Sequence, residues 1–510
     1  MELELRGITK RFPGVVANDN VNLTIRSGEV LALVGENGAG KSTLMNILYG
    51  LYHADEGAIY IDGAPVRFES PGDAIAAGIG MVHQHFMLVP VFTVAENVVL
   101  GIEPTRGLSL DRRKAAKDVE RISGEYGLGL DPDAVIEDLP VGIQQRVEIS
   151  KVLLRDAEIV VFDEPTAVLT PQEIDDFFRI IESLKAAGRG IVFITHKLTE
   201  ALNVADRIAV LRRGQTVGEA DPGEIDEVGL AELMVGRPVQ LVVDKAPAEP
   251  GDSTLQVRDL HVVGQDGRTL VDHTSFDVHA GEIVGIAGVQ GNGQTELVEA
   301  ITGLREILSG SVSVDGIDLT DASPRDVHLA GVAHIPEDRQ RSGLVGEFSV
   351  AENMVLTRYH SDQFSNGVTM DWPSVRSNAR ELTEQYDVRT PSIDTPAGTL
   401  SGGNQQKVIV ARELSRDLRL VIASQPTRGV DVGSIEYIHA QVVAARDEGS
   451  AVLVVSTELD EVMALADRVI VLFRGRIVAN VPRDQTSHNE VGLYMAGALE
   501  QNEQNEQTTA

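Results

Sequence analysis

GENGAGKSTL, from Gly35 to Leu44, and GVQGNGQTEL, from Gly288 to Leu297, are the two stretches on which the fold of this sequence turns. The first meets the pattern G-x-x-x-x-G-K-S with Gly35, Gly40, Lys41 and Ser42. It follows the apolar run VLALV and opens the helix-periodic run STLMNILYGL, which is the context a phosphate-binding loop requires. Its glycines let backbone N–H groups close on phosphate oxygens, and the start of the following helix adds a favourable dipole. Lys41 is expected to reach the β- and γ-phosphates and the Ser42 hydroxyl to coordinate Mg²⁺. Glu36, Asn37, Gly38, Ala39 and Thr43 fill out the predicted ATP contacts. The second stretch keeps the glycine spacing but has Gln294, followed by Thr295, where the lysine belongs.

The rest of the chain repeats on the same scale. LVGENGAGKSTLMNILYGL is echoed by IAGVQGNGQTELVEAITGL, FTVAENVVL from Phe92 by FSVAENMVL from Phe348, and ADRIAVLRRGQ from Ala205 by ADRVIVLFRGR from Ala466. The order is the same in both halves, so the chain is a duplicated domain and not a solenoid. The Pro- and Ala-bearing segment 242–253 reads as a linker between domains at 1–241 and 254–497. The tail 498–510, EQNEQNEQTTA-like, has almost nothing to bury and reads as disordered. Each half alternates short β-branched runs (VLALVG, IVVFDE, GIVFITH) with helical patterns, which predicts α/β domains with a mostly parallel sheet. The middle of each half, roughly 96–155 and 350–415, is more helical and predicts a helical subdomain.

With 510 residues, 43% of them hydrophobic, the chain has material for more than one core. The formal charge of −33 argues against nucleic acid and against an anionic membrane surface, and reads as solubility or adaptation to a salty interior. There is no cysteine, which excludes disulfides, thiolate zinc sites and cysteine nucleophiles. The sequence contains no apolar run long enough to cross a bilayer and no signal-like start, so a soluble, cytoplasmic chain is expected.

Further chemistry follows the first loop. In VVFDEP an apolar run ends in Asp163, placed to hold Mg²⁺, and Glu164, placed to orient or polarise an attacking water. GENGAGKST, the Gln84 of MVHQHF, FDEPT and the His196 of FITHKL, together with LSGGNQQK from Leu400, resemble the motif series of ABC-type ATPases. The resemblance spans nearly the whole chain and implies two tandem ABC-type P-loop ATPase domains. It further implies that Gln84 senses the γ-phosphate and metal and relays to a membrane partner. His196 contacts the γ-phosphate, and Phe12 takes the place of an adenine-stacking aromatic, for which a core phenylalanine is the alternative. His83 and His85 alternate on an expected strand around Gln84, which fits a structural role better than a metal pair.

The two halves then depart from the family in opposite directions. Lys41 is matched by Gln294, Gln84 by Glu337, Asp163 and Glu164 by Ser424 and Gln425, and His196 by Thr457. No aromatic between Leu260 and Ser275 matches Phe12. The signature goes the other way: Ser401, Gly402 and Gly403 are intact in the second half, where the first half has Pro140 and Val141. Asp431 of PTRGVD is likewise matched by Thr170. ABC ATPases pair head to tail, each nucleotide lying between one domain's phosphate loop and the other's signature. Applied here, one site takes every intact element and the other every altered one, a sorting that independent decay would not produce.

The resemblance implies the ATP-hydrolysing subunit of an importer that works with two transmembrane permease subunits and, indirectly, an extracytoplasmic solute-binding protein. It would sit at the cytoplasmic face of the membrane without touching the transported solute. The tandem layout and the stretches HQHFMLVPVFTVAENVVLG and IASQPTRGVDVGSIEYIH look closest to the nucleoside-uptake branch. A monosaccharide importer is the alternative. Phe86, Met87, Leu88 and Val89 are candidate apolar contacts for a permease helix, against internal packing. A soluble ATPase acting on ribosomes or DNA fits the acidic charge and short linker poorly, and the full set around Glu164 argues against a merely regulatory binder.

Overall fold

The computed structural model describes residues 1–497 except 14, 37, 84–85, 107–108, 167–168, 170, 239–242, 244 and 265, and describes only the backbone at 171–172. The chain divides into two compact units, Met1–Val239 and Gln240–Ala510. No described helix is long and apolar enough to cross a membrane.

The first unit is built on a six-stranded sheet. Across it the strands run in the order Gln215–Ala220, Arg207–Arg212, Val30–Val34, Gly190–Thr195, Ile159–Asp163 and Ile79–Val82. Neighbours are parallel except at the antiparallel edge strand Gln215–Ala220. Every residue of the strand Val30–Val34 is buried, because both faces of the sheet are covered. On one face Leu31, Leu33, Val192 and Ile194 pack with Leu44, Met45 and Leu48 of the helix Lys41–Leu48 and with Leu3 and Ile8 of a four-stranded antiparallel sheet. On the other, Val30, Phe162 and Phe193 pack with Phe177, Val147, Ile149 and Val119. The last three come from the region of the helices Val94–Val98, Arg112–Tyr126 and Val141–Leu153.

The second unit repeats this plan strand for strand: Arg476–Pro482, Arg468–Phe473, Ile283–Ala287, Ala451–Ser456, Leu420–Ser424 and Val332–Ile335. Its helical region contains Val350–Met354, Trp372–Gln385 and Gly402–Leu414. The repeated sequences have structural explanations. In the ADR repeats, the carboxylates of Asp206 and Asp467 accept from the backbone N–H of Val30 and Ile283, the first residues of the two loop-bearing strands, at 2.8 and 2.9 Å. In the AEN repeats, Thr93 with Glu96 and Ser349 with Glu352 form capping boxes that start their helices.

The segment expected to be a linker is attached to the second unit in part. The Lys245 ammonium donates to the Leu465 and Ala466 carbonyls and to Asp467, and the first strand of that unit begins at Ser253. The tail 498–510 lies outside the described residues. In the first unit the edge strand ends at Val82, so His83 lies beyond it and packs edge-on against Tyr49.

Candidate functional site

The first loop leaves the strand Val30–Val34 and closes on the helix Lys41–Leu48. Two glycines are dictated by space. A Cβ on Gly35 would stand 2.2 Å from the Leu211 carbonyl oxygen. Gly40 has φ +101°, and its Cβ would stand 2.2 Å from the Ala17 carbonyl oxygen. Asn18 holds the turn from outside, its amide donating to the Gly40 carbonyl at 3.1 Å. The Lys41 side chain is folded inside the loop, only 5% exposed, with Nζ donating to the carbonyls of Gly35 at 2.6 Å and Glu36 at 3.1 Å. Burial lowers its pKa, and the charges of Glu164, Asp163 and Glu36 oppose that shift. Ser42, at the start of the helix, is exposed, and Thr43 is half-buried.

The strand Ile159–Asp163 delivers the two carboxylates beside this loop. Burial, and then the neighbouring charge of Glu164, push Asp163 up to about 6, with Lys41 opposing. Glu164 turns the chain with φ +47°, its N–H bonded to the Ile194 carbonyl of the adjacent strand at 3.0 Å. Burial works against its charge as well, but the hydrogen bond with His196 and the charges of His196, Lys41 and Lys197 outweigh it and hold its pKa below the usual value. His196 Nδ1 lies 3.1 Å from Glu164 Oε1. A hydroxyl at Ser42 and a carboxylate at Asp163 are hard oxygen donors of the kind Mg²⁺ takes, so the residues present fit that ion. The structure therefore brings together Lys41, Asp163, Glu164 and His196. Asn37, Gln84 and Thr170 lie outside the described residues.

Phe12 is 38% exposed and so is not a core residue; it meets Tyr52 edge-to-face at 5.6 Å, and Lys10 Nζ lies over its ring. Tyr52 was not legible as a site residue, since it falls outside any motif.

The second loop has the same backbone shape. Gly293 has φ +101°, and the helix Gln294–Ile301 follows it as Lys41–Leu48 follows Gly40. The chemistry is different. Gln294 is 6% exposed, and its amide nitrogen has no hydrogen-bond partner. Thr295 donates to Glu337 at 3.2 Å, and Glu337 also pairs with Arg428. Ser424 is buried, and Gln425 repeats the backbone of Glu164, with φ +47° and its N–H on the Val455 carbonyl at 2.7 Å. Its side-chain oxygen accepts from Thr457 at 3.3 Å. With Glu337 engaged by Thr295 and Arg428, and Ser424 and Gln425 uncharged, these residues do not fit a divalent ion. Arg428 was not singled out from sequence, because its counterpart in the first half is an alanine with no known role to compare.

The signature of the second unit is ordered by its neighbours. Ser401 stands exposed immediately before the helix Gly402–Leu414, with its hydroxyl accepting from the Asn404 amide at 2.9 Å. Gly403 is forced by proximity, since a Cβ there would stand 2.2 Å from Ser434 Oγ and 2.5 Å from Asp431 Oδ2. Asp431 caps the next helix by accepting from the Ser434 N–H at 2.9 Å. Arg339 ties these parts together, donating to the carbonyls of Arg428 at 2.7 Å and Gly429 at 3.2 Å and to Gln405 at 3.3 Å. In the first unit the corresponding helix starts with Pro140 and the 42%-exposed Val141, and has no side-chain cap.

The sequence pattern of the ABC transporter family matches residues 18–167 and 271–428. The nucleoside import ATP-binding protein NupA of Lactococcus lactis subsp. cremoris is 50% identical over 97% of this chain and 98% of its own length. The guanosine import ATP-binding protein NupO of Bacillus subtilis is 48% identical over 98% of both chains. The glucose import ATP-binding protein TsgD13 of Haloferax volcanii is 46% identical over 97% of this chain and 96% of its own. Among solved structures, an archaeal ribosome recycling factor in complex with a ribosomal stalk protein covers 96% of this chain and 92% of its own at 20% identity, with a TM-score of 0.62. That likeness is one of fold alone.

Proposed function

The chain belongs to the ABC transporter family, as a tandem ATP-binding protein, and from that premise we propose that it hydrolyses ATP to energise a nucleoside importer. The observation that carries the reading is the unequal chemistry of two loops with one backbone. Lys41, Asp163, Glu164 and His196 converge in the first unit, and Gln294, Ser424, Gln425 and Thr457 stand in their places in the second.

In the working site Lys41 neutralises phosphate charge, Ser42 and Asp163 would hold Mg²⁺, and Gln84 would attend the metal and γ-phosphate. When bound, the ion neutralises charge that develops on the phosphate oxygens. Glu164, kept ionised by His196, orients the attacking water. Phe12, with Tyr52 beside it, supplies the aromatic surface for adenine. Ser401, Gly402, Gly403 and Asp431 contact nucleotide as the intact signature, and the altered second loop does not turn over.

The partners are two transmembrane permease subunits that hold the chain at the cytoplasmic face of the membrane, with a solute-binding protein acting through them. A cavity of about 210 Å³ in the first unit supports this, lying next to the segment that follows Gln84. Its lining includes His83, Met87, Tyr49, Glu148, Lys151 and Arg155. Of the four apolar residues in that segment Met87 is the exposed one, at 63%, and Leu88 packs against the core. A nucleic acid partner is disfavoured by the charge of −33.

Nucleoside is preferred as solute because the two relatives of greatest identity reported above carry nucleoside or guanosine in their names; the glucose relative, at 46%, keeps a monosaccharide as the second reading. The test is uptake of labelled nucleosides and monosaccharides in cells lacking the chain, complemented with the wild type or with Glu164→Gln. Nucleoside uptake restored by the wild type alone supports the proposal. Restored sugar uptake replaces the solute, and rescue of neither overturns the transport reading.

A further inference from the structure

We propose that the second loop is a metal-independent site for the diphosphate of a nucleotide. This deepens the one-site reading above and rests on it, since it gives the loop that does not hydrolyse a ligand of its own.

Two independent observations converge on the cradle. The loop keeps the backbone of its working counterpart: Gly293 and Gly40 both have φ +101°, Gly291 and Gly38 have φ +87° and +81°, and each loop runs into an eight-residue helix. The N–H groups and helix dipole that favour an anion are therefore retained. Inside the cradle lies a donor without an acceptor. The Gln294 side chain is 94% buried, its amide nitrogen is fully enclosed, and that nitrogen has no hydrogen-bond partner. It lies against Gly288, where a Cβ would come within 2.4 Å of it. A buried amide N–H left unbonded is costly. Lys41 avoids that cost by donating to the carbonyls of Gly35 and Glu36. Gln294 does so when a phosphate oxygen accepts from it.

The surroundings then set the ligand. In the first unit Ser42 is exposed and the strand delivers Asp163 and Glu164, whereas here the Thr295 hydroxyl is spent on Glu337 and the strand ends in Ser424 and Gln425. Ser424 and Gln425 carry no charge, and Glu337 is already engaged by Thr295 and Arg428, so binding gains nothing from Mg²⁺. Glu337, bonded to the residue that follows Gln294, places a carboxylate at the mouth of the loop. A third phosphate would reach that mouth with neither a lysine nor a metal to neutralise it, so the diphosphate is the better ligand. Arg428, paired with Glu337, keeps the mouth near neutrality.

The experiment is equilibrium binding of a fluorescent ADP to the full chain carrying Lys41→Ala, so that the working loop is weakened, in Mg²⁺ and in EDTA. One ADP per chain is expected, with the same affinity in both buffers and with ATP bound more weakly. Adding Gln294→Leu should remove this binding by about tenfold or more, the loss of one charge-assisted hydrogen bond. That variant keeps its fold, because an apolar side chain of similar size relieves the unbonded amide, and its melting temperature without nucleotide should be equal or higher. No ADP bound in the Lys41→Ala chain overturns the proposal. So does binding that requires Mg²⁺ or survives Gln294→Leu. These outcomes are separate from the one-site reading, which fails instead if Glu164→Gln continues to hydrolyse ATP.

Discussion

Asp163 and Glu164 are neighbours in sequence, yet their surroundings drive their ionisation apart. Asp163 has burial and a like charge against it and is raised to about 6, while Glu164 has His196 and two lysines on its side and stays low. Because Asp163 is raised, its ionised fraction falls as pH drops through 6, and with it the ability to hold Mg²⁺. Hydrolysis should therefore decline on the acid side with an inflection near pH 6 at low Mg²⁺. Raising Mg²⁺ should move that inflection to lower pH, since the ion binds only the ionised form. A pH–rate series at two Mg²⁺ concentrations checks both the position and the movement. At the second loop, Gln294→Lys restores one charge but leaves Ser424, Gln425 and Thr457 in place. Introduced into Glu164→Gln, it should leave hydrolysis at that variant's residual rate, which a phosphate-release assay measures directly.

At the scale of elements, the phosphate loop is a junction whose shape is fixed from outside, by the carbonyls of Ala17 and Leu211 against Gly40 and Gly35. Gly40→Ala combines a 2.2 Å collision with a left-handed φ, so the loop must move, and ATP affinity should fall by at least about tenfold in a binding titration. The helix that follows is anchored by Leu44, which is fully buried. Leu44→Ala should cost about 2–5 kcal/mol, read from the denaturant unfolding of the first unit. The loop, its strand and its helix were all legible, because glycine spacing, a β-branched run and an apolar period coincide in one stretch. What stayed illegible depends on contacts far apart in sequence. Tyr52 beside Phe12, Arg428 on Glu337 and Arg339 across Gln405 and Gly429 have no local pattern, and the end of a strand at Val82 rather than beyond His83 is a boundary that periodicity does not fix.

For the molecule as a whole, a duplicated sequence has produced two units with one strand order and unequal chemistry. The repeats in the sequence fall partly on structural devices, such as Asp206 and Asp467 on the loop-bearing strands, and these are the positions where the halves agree. Among the motif positions, those where they disagree are the candidate nucleotide residues. Comparing the halves position by position could therefore separate scaffold from site before any coordinates. It could not reveal how Glu337 is neutralised or that Gln294 is left unbonded. If Ser401 contacts nucleotide as the signature serine, Ser401→Ala should lower hydrolysis by about 10²-fold, as for loss of a preorganised donor. Val141→Ala, in the altered signature, should leave the rate unchanged.

The central claim is that one chain carries one hydrolytic site, centred on Glu164. Steady-state ATP hydrolysis by Glu164→Gln, with ATP binding measured in parallel, addresses it most directly. The account predicts binding retained and a rate reduced by about 10²–10⁴-fold, the usual consequence of losing the group that activates the nucleophile. Hydrolysis near the wild-type rate would contradict it, and would place a working site at the second loop, where Gln425 stands.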